Sequence, residues 1–158
     1  MNFSTLFRLR ENLNLDKKTL VILRWIAVIG QLTAVNLVYF YLKLEFPIFL
    51  CHVILFIGFL TNIYLQFGIR SILLKDFYAS IFLIYDLVQL AFLLYLTGGI
   101  SNPFSILMII PAIVSSTFLS MGTTIILGAL TIIFLFLLTI FHYPLPGIHD
   151  HSITFPKL

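Results

Sequence analysis

Leu87–His149 reads LVQLAFLLYLTGGISNPFSILMIIPAIVSSTFLSMGTTIILGALTIIFLFLLTIFHYPLPGIH, 63 residues without one Asp, Glu, Lys or Arg. A bilayer crossing takes about 20 apolar residues. The stretch is therefore long enough for more than one crossing, and its Gly, Asn and Pro residues mark where a chain would turn. The rest of the 158 residues agrees. The chain is 61% hydrophobic and 9% charged, against roughly 25% charged in soluble domains. A water-soluble globule is excluded, because its surface could not be solvated. Disorder is excluded by the apolar content. A net charge of +3 without a basic patch on a soluble face argues against nucleic acid as a partner.

The pattern predicts an all-α, polytopic transmembrane bundle of five spans. They are about Leu20–Tyr41, Pro47–Phe67, Phe77–Thr97, Pro103–Leu119 and Thr123–Phe141. Residues 1–18 form a mixed polar leader, which either frays or lies on the membrane as a short amphipathic helix. Residues 19–141 form the bundle and 142–158 a polar tail, where Pro144, Pro146 and Pro156 oppose further helix. No cleaved signal peptide is apparent. Arg8, Arg10, Lys17, Lys18, Arg70 and Lys75 gather on one side, and Lys43 and Lys157 on the other. The positive-inside rule places the first group, with the N-terminus, in the cytoplasm. The tail is then periplasmic. Cys51 stands alone in an apolar run and reads as a small core residue.

Ionisable groups in hydrocarbon are costly and face the bundle interior or water. Asp86 lies near the middle of span three, with Gln89 three residues on. Arg24 and Gln31 share a stripe of span one, seven residues apart. Gln31 and Asp86 are expected at similar depth, with Arg24 reaching either the headgroups or Asp86. Asn62 and Gln66 share a face of span two. The cluster reads in two ways: a site for protons or a ligand, or interhelical hydrogen bonds that fix packing. His52 sits at a helix end, and His142, His149 and His151 fall on the tail. His149-Asp150-His151 is a weak metal signal and reads as solvated tail.

Thr97-Gly98-Gly99-Ile100-Ser101-Asn102-Pro103-Phe104 is the most distinctive stretch. A glycine in the left-handed region would end span three. Asn102 would cap span four and Pro103 suits its first turn. The glycine pair, the exposed N–H groups at the helix start and the aromatic Phe104 could also hold a flat, lipid-soluble molecule with carbonyl acceptors. A quinone fits that description.

Gly98-Gly99-Ile100-Ser101-Asn102-Pro103-Phe104 resembles the GGxxNPF heptapeptide of the RegB/PrrB/ActS family of redox-sensing histidine kinases. Leu23-Arg24-Trp25-Ile26-Ala27-Val28-Ile29-Gly30-Gln31 resembles the first span of that family, and Asp86 and Pro111 also fit. The resemblance runs from about Thr19 to Tyr143. It implies a six-span sensor domain joined to a cytoplasmic phosphoacceptor helix pair and an ATP-binding domain, in the bacterial inner membrane. It implies sensing of a ubiquinone-type quinone, not covalently bound, with Gly98, Gly99, Asn102, Pro103 and Phe104 as contacts. Arg24, Gln31, Asp86 and Gln89 would stabilise or transmit. The implied partners are membrane lipid, the quinone and a response regulator reached through the kinase part, within a homodimer. The sixth span, phosphoacceptor histidine and ATP site are not expected within these 158 residues, so no catalysis is expected of the chain alone. The alternatives are part of a small transporter or channel, an integral-membrane enzyme, or a plain membrane anchor. The buried polar count is low for a transporter. An acid-free run is poor ground for an enzyme.

Overall fold

The computed structural model describes residues 15–41, 43 and 46–143. The surface-helix reading of residues 1–14 and the metal reading of His149-Asp150-His151 lie outside the described residues, as does the tail beyond Tyr143. Five helices follow in order. Helix α1 runs Lys17–Asn36 and closes with a wide π turn, Leu37–Tyr41. Helix α2 runs Ile48–Ile63 with a second π turn, Tyr64–Gly68. Helix α3 is Asp76–Leu96. Helix α4 begins as a 3₁₀ segment, Pro103–Ile109, and continues as α-helix over Ile110–Phe118. Helix α5 is Met121–Ile140. A two-residue antiparallel bridge joins Leu15–Asp16 to Leu73–Leu74. The five expected spans are all present, with ends shifted by a few residues.

Four of these helices are long and apolar enough to cross a membrane, and Pro103–Phe118 is shorter. Pro111 explains the change of pitch in α4. It has no N–H to give Leu107, whose carbonyl instead accepts from Ile110 N in a 3₁₀ bond. The 3₁₀ stretch rises about 2.0 Å per residue, so 16 residues reach roughly 27 Å, close to a hydrocarbon core.

Helix α3 is the most enclosed span. It buries Ala79, Leu83, Leu87, Leu90, Leu93 and Leu94. Helix α1 packs closely on α2, α2 on α3, and α3 on both α4 and α5. Outward faces carry Phe49, Phe56, Ile106 and Ile132, all more than half exposed, as lipid contact requires. Cys51 is fully buried, as expected.

Polar clamps close one end of the bundle. Asp16 caps α1 by accepting from Lys18 N at 3.1 Å. Lys17 Nζ donates to the carbonyls of Gln66 (3.1 Å) and Ile69 (2.6 Å), which the end of α2 leaves free. Asp76 Oδ1 accepts from Ser120 N at 2.7 Å. Its Oδ2 accepts from Ser120 Oγ at 2.9 Å and Thr123 Oγ1 at 2.6 Å. Ser120 is also the N-cap of α5, so one carboxylate ties the start of α3 to the start of α5. Asp76→Ala is expected to cost about 1–2 kcal/mol, read as a lower unfolding temperature in detergent with helix content intact at 20 °C.

Candidate functional site

Arg24 is 3% exposed, in the middle of the bundle. Its Nε donates to Asp86 Oδ1 at 3.0 Å, and its Nη2 lies 2.9 Å from the same oxygen in an ion pair. Nη2 also donates to Thr61 Oγ1 at 2.9 Å. The guanidinium lies over Phe82 and Tyr85, 5.0 and 5.6 Å from their ring centres. Of the two directions open to Arg24, the side chain takes the one toward Asp86. This is the economical choice in hydrocarbon, where a charge needs a partner. Three helices, α1, α2 and α3, meet at this one group.

Above it, Gln89 Nε2 donates to Gln31 Oε1 at 3.0 Å. Gln31 therefore levels with Gln89, less than one turn from the depth expected beside Asp86. Gln89 fits because Gly58 faces it: a Cβ there would fall 2.6 Å from Gln89 Nε2. Asn62 reaches Val21 O at 3.5 Å, and Gln66 accepts from Trp25 Nε1 at 3.2 Å. Thr61 and Gly58 were not legible as site residues. The only signal is that Thr61 lies beside Asn62, and Gly58 interrupts an otherwise bulky helix.

The heptapeptide is a braced hairpin. Gly98 and Gly99 adopt φ of 100° and 60°, the left-handed region that ends α3. A Cβ on Gly99 would lie 2.7 Å from Leu138 O and 2.6 Å from His142 Cβ, so Gly99 lets the turn lie against the end of α5. Asn102 is buried. Its Oδ1 accepts from Phe104 N at 2.9 Å, and its Nδ2 donates to Thr97 O at 3.1 Å and Thr97 Oγ1 at 2.8 Å. The N-cap is as expected. Both amide hydrogens of Asn102 are engaged, so in this state its free bonding capacity is small.

These two sets of residues line one crevice. Helix α1 meets α3 mainly through long side chains rather than close backbone packing, and a gap opens between α1, α3 and α4. Its wide part has a volume of about 260 Å³ and is lined by Arg24, Gly30, Gln31, Asp86, Leu107 and Pro111 among others. Its narrow end, about 30 Å³, reaches Thr97, Asn102 and Phe104. Gln31, Leu90 and Leu107 line both parts. Asp86 lines the wide part, and Asn102 and Phe104 of the heptapeptide line the narrow end. Gly98, Gly99 and Pro103 shape the turn without lining the crevice, and Gln89 stands behind Gln31. Among the described residues no group of three or more His, Cys, Asp and Glu could hold a metal ion.

The ion pair sets the stability of this region. Arg24→Met and Asp86→Leu are each expected to lower stability by about 3–5 kcal/mol, because each strands a buried charge. The double substitution is expected to recover most of that loss. Thermal unfolding of the three purified variants checks it, and a double variant no more stable than the singles would contradict the pairing.

Comparison with known proteins agrees with this architecture. The profile of the PilS-like transmembrane domain matches residues 8–154. Sensor histidine kinase RegB of Cereibacter sphaeroides is 38% identical over 142 residues, covering 89% of this chain and 31% of RegB. A second RegB sequence, from a named strain of the same species, is 38% identical over 76 residues, covering 48% of this chain and 16% of that protein. The chain spans less than a third of the length of these relatives. No solved structure matches it. A profile match over nearly all residues, on a bundle of apolar helices with a buried polar centre, places the chain in the family of PilS-like transmembrane domains.

Proposed function

We propose that this chain is the input domain of a redox-responsive sensor histidine kinase and reads a ubiquinone-type quinone pool. The similarity to a sensor histidine kinase supports the membrane-input role. The single observation that carries the quinone reading is the crevice. A dry cavity of about 150 Å³ already takes a benzene ring, so the 260 Å³ part takes a substituted ring. The 30 Å³ end beside Asn102 takes no more than a water or a small substituent. The ring therefore lies along α1 beside Gln31, with the heptapeptide shaping one end through Asn102 and Phe104. The apolar walls and the opening between α1 and α4 suit a ligand that arrives through lipid.

Sensing requires that the oxidised and reduced rings bind two bundle arrangements differently. A quinone carbonyl accepts hydrogen bonds, and a quinol hydroxyl also donates. The side chains that hold α1 to α3 lie beside the ring, so a change in those bonds changes how the two helices meet. In this reading the N-terminus is cytoplasmic, in a bacterial inner membrane. The output passes to a kinase part and a response regulator, within a homodimer.

Gly30 provides the test. It lines the crevice, and nothing lies within 4 Å of a Cβ built on it. Gly30→Phe is expected to fill the crevice while the chain stays helical. Decyl-ubiquinone titrated into the chain in nanodiscs should bind the wild type and bind Gly30→Phe at least about tenfold more weakly, the loss that about 1.4 kcal/mol gives. Unchanged affinity would remove the crevice as the quinone site.

A further inference from the structure

Where α1, α3 and α5 begin, two separate parts of the chain are tied together. Leu15–Asp16 pairs with Leu73–Leu74, and Lys17 N donates to Ile72 O at 3.0 Å. Lys17 Nζ completes the tie on the carbonyls of Gln66 and Ile69. The start of α1 therefore lies against the loop between α2 and α3. That register sets Lys18 on the same rim as Arg70 and Lys75, and all three are exposed. Among the described residues none of the three has a side-chain hydrogen bond or ion pair.

The acids of this rim are spent inside the protein. Asp16 accepts from Lys18 N, and the Asp76 carboxylate takes three bonds from Ser120 and Thr123. Four cations, Lys17 included, stand against these two acids. Between Arg70 and Lys75 lie Ile72 and Leu73, 73% and 52% exposed. Phe67, Phe77 and Tyr78, also more than half exposed, flank the loop. Aromatic rings and cations together mark the level of the lipid headgroups.

Cations interleaved with exposed apolar side chains suit one partner, an anionic lipid. Its phosphate meets the cations while its chains meet the apolar groups. A free phosphate ion would leave Ile72 and Leu73 in water. A zwitterionic lipid brings an ammonium that opposes Lys and Arg.

We propose that the rim formed by Lys18, Arg70 and Lys75 binds the headgroup of an anionic phospholipid such as phosphatidylglycerol. Arg70 serves the phosphate with its planar fork, and the two lysines add charge. A lipid seated there ties α1 to the α2–α3 loop from outside, as Lys17 does from inside. The site is independent of the crevice, and of which leaflet holds the rim.

The test uses Trp25, the single tryptophan of the chain. It is half-buried on α1, about 12 Å in from Lys17, and its Nε1 donates to Gln66. Lipids brominated at mid-chain quench a tryptophan at that depth. The chain is placed in vesicles that mix phosphatidylglycerol and phosphatidylcholine, with one or the other brominated. The two quenching curves give the relative binding constant beside Trp25. The wild type is expected to favour phosphatidylglycerol at least about fivefold, the effect of one cation at a charged headgroup. Lys18→Gln/Arg70→Gln/Lys75→Gln should bring the ratio to about one, with helix content unchanged. Lys43→Gln, beyond the other end of α1, should leave the wild-type ratio. In about 1 M salt, where the Debye length is about 3 Å, the wild-type preference should fall at least about twofold. Equal quenching by both lipids in the wild type overturns the site. So does a preference that survives the triple substitution or the salt, or one that Lys43→Gln abolishes as well.

Discussion

A charged side chain in hydrocarbon must find a partner inside the protein, and the rest of this bundle is arranged around one such pair. Arg24 and Asp86 meet at 2.9 Å with Thr61 as a third member. Lipid offers no hydrogen bonds to replace these. The pair therefore decides the rotation of α1 about its axis, since any other rotation would leave the guanidinium facing acyl chains. Once α1 is set, Gln31 faces Gln89. The remaining apolar residues of α1 then divide between lipid and crevice.

The pair also keeps α1 from closing on α3. Long side chains bridge the two helices and hold the backbones apart. Small residues on the same stretch, Ala27 and Gly30, leave the space between them unfilled. A bundle held only by apolar packing would collapse such a gap, because interiors pack to crystal-like density. The crevice is thus a by-product of polar bridging, and it lies next to the groups that bridge.

The hairpin between α3 and α4 works at the other end of the same groove. Its glycines serve geometry: Gly98 and Gly99 occupy the left-handed region, and Gly99 lets α5 come close. Asn102 turns inward and braces the turn through Thr97 and Phe104 N. A motif that looked like a binding loop is, residue by residue, a rigid joint. Its contribution to the crevice is the wall formed by Asn102 and Phe104. Pro111 lies where the thinner 3₁₀ half of α4 ends and leaves the Leu107 carbonyl to accept from Ile110 N, and that half is the wall α4 presents beside Asn102 and Phe104.

The amino-acid sequence by itself determined that the chain is a bundle of apolar helices and roughly where each begins. Length and hydropathy decide that directly, because backbone groups in lipid have to bond within a helix. It also singled out Arg24, Gln31, Asp86, Gln89 and Asn102, since polar residues are conspicuous against an apolar background. Which of these touch was a matter for tertiary structure. Periodicity gives the face of a helix and not its neighbour, so Arg24 had two directions open and Thr61 gave no sign of its part. The crevice was equally invisible, because it consists of space that α1, α3 and α4 leave between them. Empty volume depends on how helices are spaced and rotated, and no single stretch of chain encodes it.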